Sequence, residues 1–340
     1  MHINLKKTYL NRLKISKSFF IYFPVVALII IVAGFRPIGL DLDSNAYIEA
    51  LSFNVNFIDK EPTFWIIRYM NNLFFQGNIH FFFLIYAIIG VSIKLYVIRK
   101  FSVSPIFSFA TYISMFFILQ EMTQIRAGVA IGIVFWAIND VVKKQAMSFL
   151  LKIFMATLFH YSAIIMLIFY FFSTEKKIMV FYFLLPIIGI AMSFSHVLFF
   201  ATQYLASVLP EFLSAKLKIY LFLMKEKQLK SVTPFNFGNF FMLSVYYLNF
   251  IFFDKLKLSE FYKKYYLLCL KLLGWGFFIL FGFSFIEVFA YRLANYSFFS
   301  LVFLLPLVIE FFCEKYFMFF FLTIYLIYTL VKNINIMLKF

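Results

Sequence analysis

Apolar residues run through this chain in long blocks, and polar residues are confined to short gaps between them. A helix that crosses a bilayer needs about 20 mostly apolar residues. Blocks of that order fall at 18–35, 79–98, 105–119, 127–142, 178–199, 237–253, 265–291, 293–312 and 316–331. A further block, 146–172, carries Phe159-His160-Tyr161 at its middle. Taken as one tilted helix, it puts Lys176-Lys177 on the face opposite Lys143-Lys144. Taken as two short halves turning near His160, it keeps both lysine pairs on one face and leaves His160 part-way into the membrane. The broken form is favoured; it requires protein or a water-filled cavity to cover the backbone at the turn.

The pattern therefore predicts an all-α polytopic integral membrane protein with 10 or 11 spans, forming one transmembrane domain over residues 1–340. Its parts are a first span at 18–35, a polar loop at 36–78, central spans at 79–200, a second loop at 201–236 and C-terminal spans at 237–331. Within the first loop, Asp43-Ser44 reads as a helix cap. Glu61-Pro62 opens a second short helix reaching Leu73, and both helices are expected at the membrane interface. The 201–236 loop predicts an amphipathic surface helix carrying Lys216, Lys218 and Lys225, with Lys227 and Lys230 beyond it. Gly274, Gly276 and Gly282 suit close helix packing in lipid.

Composition sharpens this picture. The chain is 64% apolar, 24% aromatic and 14% charged, whereas soluble domains are roughly a quarter charged. Alternating segments of a membrane β-barrel are absent. The net charge of +16 comes from short lysine clusters between apolar blocks. That is the distribution of topology signals, which favour the cytoplasm, so nucleic acid is excluded as a partner and the lipid bilayer is expected. The N-terminal basic arm is then inside the cell, and the run after Lys17 has no clear cleavage site, so it is expected to stay as an anchor. Cys269 and Cys313 fit no metal or disulfide spacing. No HxxxH, CxxC, glycine-rich phosphate loop or GxSxG occurs, so no metal and no cofactor is expected.

The polar residues outside the lysine clusters are the candidates for chemistry. Arg36, Asp41, Asp43, Tyr47, Glu49, Asp59 and Glu61 crowd into the first loop. Arg126 and Arg292 stand alone at block ends, on the same outer face as Arg36. Guanidinium binds phosphate through a fixed fork of donors, so three arginines around one cavity would suit a diphosphate. Lone arginines also snorkel to headgroups, and a lone histidine such as His160 is often a satisfied buried group. Functionally, an imidazole can transfer a proton near neutrality.

Taken in order, Arg36, Gly39, Asp43-x-x-x-Tyr47, Glu61-Pro62 with Phe64, Gln124-x-Arg126, Leu158-Phe159-His160-x-Ser162 and Arg292-x-x-x-Tyr296 resemble the EpsG family of bacterial polysaccharide polymerases. Many of these are Wzy-type O-antigen or capsule repeat-unit polymerases. The glycine-to-aspartate spacing is wider here than the common form, which leaves Asp41 or Asp43 as the matching acid; Asp43 fits the tyrosine spacing better. The resemblance implies a glycosyltransferase of the bacterial inner membrane. It would join undecaprenyl-diphosphate-linked oligosaccharides at the periplasmic face, with a chain-length regulator as membrane partner. The expected catalytic set is His160, Asp43 and Glu61, and the expected diphosphate ligands are Arg126, Arg292 and Arg36. Tyr47, Gln124 and Tyr296 are expected to contact substrate. An O-antigen ligase would share the donor. A flippase would spread its charges along a midplane path between repeated halves, and here they gather on one face. A membrane acyltransferase would rest on His160 alone, without the acidic partner of a His-x-x-x-x-Asp motif, since Ile164 and Ile165 follow.

Overall fold

The computed structural model describes residues 15–41, 43–52, 60–226, 233 and 236–338. The readings on the basic arm before residue 15, on Asp59, and on Lys227 and Lys230 lie outside the described residues, as does the side chain of Lys216. Every regular element among the described residues is helical. In chain order, α1 (Ile15–Gly34), α2 (Ser44–Ser52), α3 (Pro62–Phe75) and α4 (Ile79–Phe101) come first. Next is α5 (Pro105–Tyr112), which continues without a break as a π-helical segment, Ile113–Thr123. Then come α6 (Ile125–Val142), α7 (Ala146–Phe159), a 3-10 helix (Tyr161–Phe171), α8 (Met179–Phe194), α9 (Val197–Val208) and α10 (Glu211–Lys225). The chain closes with α11 (Phe237–Phe252), α12 (Glu260–Gly282), α13 (Glu287–Phe298), α14 (Leu301–Val308) and α15 (Lys315–Met337).

Local chemistry explains several starts. Pro62 and Pro105 sit in the first turns of α3 and α5, where a missing N–H costs nothing. The Asn78 side chain accepts from the backbone N–H of His80 and caps α4. The central helices are α6 and α12, each with 83% of its apolar window buried, against 17% for the peripheral α15. α12 packs chiefly against α8 and α13, and α6 against α7 and α4. Close approach is made at the expected glycines: a Cβ at Gly276 would fall 2.7 Å from Ser297 Cβ, and one at Gly282 would fall 2.7 Å from Leu198 Cδ1.

The broken reading of 146–172 holds. Extended backbone at His160 separates α7 from the 3-10 helix, and Phe149 meets Tyr170 with ring centres 5.3 Å apart, so the two halves fold back as a hairpin. The lysine pairs consequently share one end of the bundle. Lys144 and Lys264 both act electrostatically on Glu175 beside Lys177, and Lys176 pairs with Asp254.

Two expectations change. Five helices among the described residues are long and apolar enough to cross a membrane, or seven if the bent pairs α8–α9 (72°) and α13–α14 (61°) each count as one. The figure of 10 or 11 is higher because it tallies apolar runs, several of which fold as short or bent helices. The run 265–291 is not one helix: α12 stops at Gly282, and Arg292 lies inside α13 rather than at a span end. The helix expected within 201–236 is present as α10, with α9 reaching into the segment ahead of it. α3 has one buried and one exposed face. Phe64 and Ile67 face the protein, whereas Ile66, Tyr69 and Leu73 face outward.

Candidate active site

At the end of the bundle opposite Lys143-Lys144 and Lys176-Lys177, three short contacts zip residues 60–63 to the tip of the hairpin. Thr63 Oγ1 donates to the Leu158 carbonyl at 2.7 Å, filling an acceptor that the last turn of α7 leaves open. Tyr161 Oη donates to the Lys60 carbonyl at 3.2 Å. Between them, Glu61 Oε1 and His160 Nδ1 lie 2.7 Å apart. The break at His160 and the cap of α3 are thus mutually supporting, and they bring together two residues 99 positions apart in sequence.

Glu61 has a second partner. Its Oε2 receives a hydrogen bond and ion pair from Arg126 Nη1, and Arg126 Nε reaches Tyr47 Oη at 3.3 Å. Burial alone would raise the Glu61 carboxyl, but the His160 hydrogen bond and the Arg126 charge outweigh it and hold the group at about 2. An ionised carboxylate only accepts hydrogen bonds. Nδ1 of His160 therefore carries the hydrogen, and in the neutral ring Nε2 is left with its lone pair. The carboxylate is sealed, with 4% of its side chain exposed, whereas its partners open outward, Arg126 at 19% and His160 at 26%.

Asp43 lies half-buried just ahead of α2. Burial raises its carboxyl above the ordinary range, Arg292 being the strongest charge opposing the rise, followed by Arg126 and Lys60. Arg292 itself is exposed on α13, with Nη1 3.4 Å from Tyr220 Oη of α10. Asp43, Arg126 and Arg292 thus share one electrostatic neighbourhood. Asp41 adjoins them and raises the Asp43 carboxyl further, but its own carboxylate is buried, bonded to Arg36 Nε at 2.8 Å and to the Asp43 backbone N–H at 3.1 Å.

Arg36 stands apart from the other two arginines. Besides Asp41, it donates to the Ala33 carbonyl at 2.6 Å and the Met122 carbonyl at 2.5 Å, and its guanidinium lies 3.7 Å from the centre of the Phe83 ring. Its donors are spent inside the fold, so it is not presented to a ligand as expected. Tyr47 is buried, with its hydroxyl at Arg126. Tyr296 is buried and receives a hydrogen bond from Ser162 Oγ at 3.2 Å. Gln124 Oε1 accepts from Asn295 Nδ2 at 3.5 Å. These last contacts tie α13 to the hairpin tip and to the start of α6.

Sequence reasoning missed Thr63, Asn295 and a deeper group, Lys94 with Glu121 and Tyr112. The first two are ordinary polar residues with no signal in one sequence. Lys94 had one: it is the single charged residue between Ile79 and Ile98, and an ionisable group inside a span marks function by default. Among the described residues, no group of three or more His, Cys, Asp or Glu could hold a metal ion.

The model of the EpsG family, a Wzy-like polymerase family, matches residues 19–339, nearly the whole chain. No curated protein and no solved structure matches it.

Proposed function

The chain belongs to the EpsG family, and on that premise we propose that it is a membrane glycosyltransferase that polymerises polyprenyl-diphosphate-linked oligosaccharide repeat units. The observation that carries this reading is Glu61 bridging His160 and Arg126. It sets an oriented imidazole beside a fixed cation at one end of the bundle.

Glycosyl transfer from a lipid diphosphate needs both. A hydroxyl of the incoming unit attacks the anomeric carbon of the growing chain. The new C–O bond forms as the bond to the diphosphate breaks, and the electron pair leaves on phosphate oxygen. His160 Nε2 takes the hydroxyl proton, a role worth about 10²–10⁴-fold in rate. Glu61 is a positioning residue: it accepts from Nδ1–H, fixes the tautomer and stabilises the imidazolium. Arg126 and Arg292 meet the charge developing on the diphosphate, where preorganised donors are worth on the order of 10²–10³-fold. Asp43, opposite Arg292, is the second candidate for handling a proton. Lys143-Lys144, Lys176-Lys177 and Lys264 lie at the far end, and Lys and Arg favour the cytoplasm; α10, which carries Lys218 and Lys225 and meets Arg292 through Tyr220, is the exception. The site accordingly faces the periplasm in this reading, where lipid-linked repeat units are presented.

The test is a surface-glycan gel from the source bacterium with the gene deleted. A single repeat unit on the acceptor, restored to a ladder by the intact gene but not by His160→Ala expressed at equal level, supports polymerisation. Bare acceptor with long chains left on the lipid carrier indicates a ligase, and repeat units trapped on the cytoplasmic side indicate a flippase. An unchanged ladder removes the protein from that glycan.

A further inference from the structure

Below the site, three groups from two adjoining parts of the bundle meet in the interior. Lys94 of α4 pairs with Glu121 of the π-helical segment, and Tyr112 Oη donates to the same Glu121 oxygen at 2.9 Å. All three are essentially inaccessible. Ionisable side chains are costly to place within a span. Apolar residues of similar volume often serve stability as well as a buried ion pair or better. Stability alone therefore does not account for the triad.

Its surroundings connect it to Arg126. Gly90 of α4 lies directly against the Glu121 carboxylate, and Gly128 of α6 lies directly against the carbonyl of Gln120. A Cβ at either position would collide. The Lys94 stem also crosses Gly132 of α6, where a Cβ would fall 3.3 Å from Lys94 Cγ. Thus the residue before Glu121 sets how closely α6 approaches, at a glycine two positions after Arg126. The wide-turn segment that carries Glu121 ends at Thr123, leading through Gln124 into α6. Such π-helical turns recur at functional sites; the extra residue in each turn rotates the side chains beyond it.

We propose that Lys94, Glu121 and Tyr112 are positioning residues that set the start of α6, and with it the Arg126 guanidinium, against Glu61 and His160. The inference rests on the reading of Arg126 as a diphosphate ligand. Lys94 holds the π-helical segment in register through Glu121, and Tyr112 fixes which carboxylate oxygen it uses.

Two variants test it. Lys94→Met with Glu121→Leu removes both charges and leaves neither unpaired; Tyr112→Phe removes one hydroxyl. Each is purified and compared with wild type for folded amount by gel filtration. Elongation rate is then measured on saturating lipid-linked repeat units extracted from the deletion strain, with and without Arg126→Ala. Misplacement by about 1 Å can cost on the order of 10²-fold. The expected result is a folded double variant slowed about tenfold or more, a milder loss in Tyr112→Phe, and a smaller cost of Arg126→Ala in either background than in wild type. Wild-type turnover in the folded variants, or costs that multiply independently with Arg126→Ala, overturns the positioning role. If the double variant does not fold, the Tyr112→Phe cycle decides alone. Normal elongation by Arg126→Ala in the wild-type background defeats the diphosphate reading instead, so the two failures are told apart.

Discussion

Two arginine–carboxylate pairs stand at the same end of this bundle and do opposite things. Arg36 and Asp41 are sealed, with two backbone carbonyls and the face of Phe83 completing the guanidinium's shell. Arg126 and Glu61 share their contact with His160 and Tyr47, and here the guanidinium opens outward while the carboxylate stays sealed. The first pair ties the end of α1 to the end of the π-helical segment; the second leaves its cation partly exposed. A buried pair is poor evidence for added stability but costly to break, since removing one partner strands a charge. The same pairing is thus closed or open according to how many of its donors the fold consumes.

The comparison breaks most sharply at the arginines themselves. Arg126→Ala is expected to lower elongation by about 10²-fold or more in a protein that still folds. Arg36→Met is expected to lose about 3–5 kcal/mol and with it the folded protein, measured as monodisperse material in detergent. A folded but inactive Arg36→Met variant would erase the distinction.

The next effect is acid stability. Glu61 is held below its ordinary value of 4.5, at about 2. Its contribution is therefore complete above the ordinary carboxylate range and is lost as pH falls from about 4.5 through about 2. Melting temperatures between pH 5 and pH 2.5 should fall more steeply for wild type than for Glu61→Gln. Parallel curves would mean the dyad is not linked to folding.

A smaller effect of opposite sign belongs to Asp43, whose carboxyl burial raises and Arg292 restrains. A raised acid withdraws stability as pH climbs through its range, because the folded state keeps the proton longer. Arg292→Ala should steepen that decline above the ordinary carboxylate range, and adding Asp43→Asn should abolish it. Identical pH slopes in Arg292→Ala and wild type would separate the two residues. Smallest of all is Thr63→Val, which removes one hydrogen bond between the cap of α3 and the end of α7. A cost of about 1 kcal/mol is expected, read as a modest fall in melting temperature.

Much of this was legible in the residues. The helical membrane architecture followed from block length. The break at His160 followed from two lysine pairs that a single crossing would have separated. Asp43-Ser44 and Glu61-Pro62 marked where α2 and α3 begin, the second by the proline in its first turn, since the Glu61 side chain makes no cap hydrogen bond and is turned to His160 and Arg126 instead. The stop at Gly282 was hidden because Phe283 to Tyr291 continues the aromatic and apolar texture of the helix before it. Nor could one sequence separate Arg36 from Arg126. The difference depends on which distant carbonyls each meets, Met122 above all, and backbone acceptors leave no mark in residue identity.

The hairpin also constrains how the protein is made. Its arms of 14 and 11 residues fall short of the roughly 20 needed for a stable crossing, so a translocon has little reason to release either arm into lipid as a finished span. The segment that receives its tip, residues 60–63, leaves the ribosome about a hundred residues earlier, and α6, against which α7 lies, also emerges before it. The order of synthesis therefore delivers the dock before the piece that must enter it, and the site is assembled at the moment this hairpin is pulled into place.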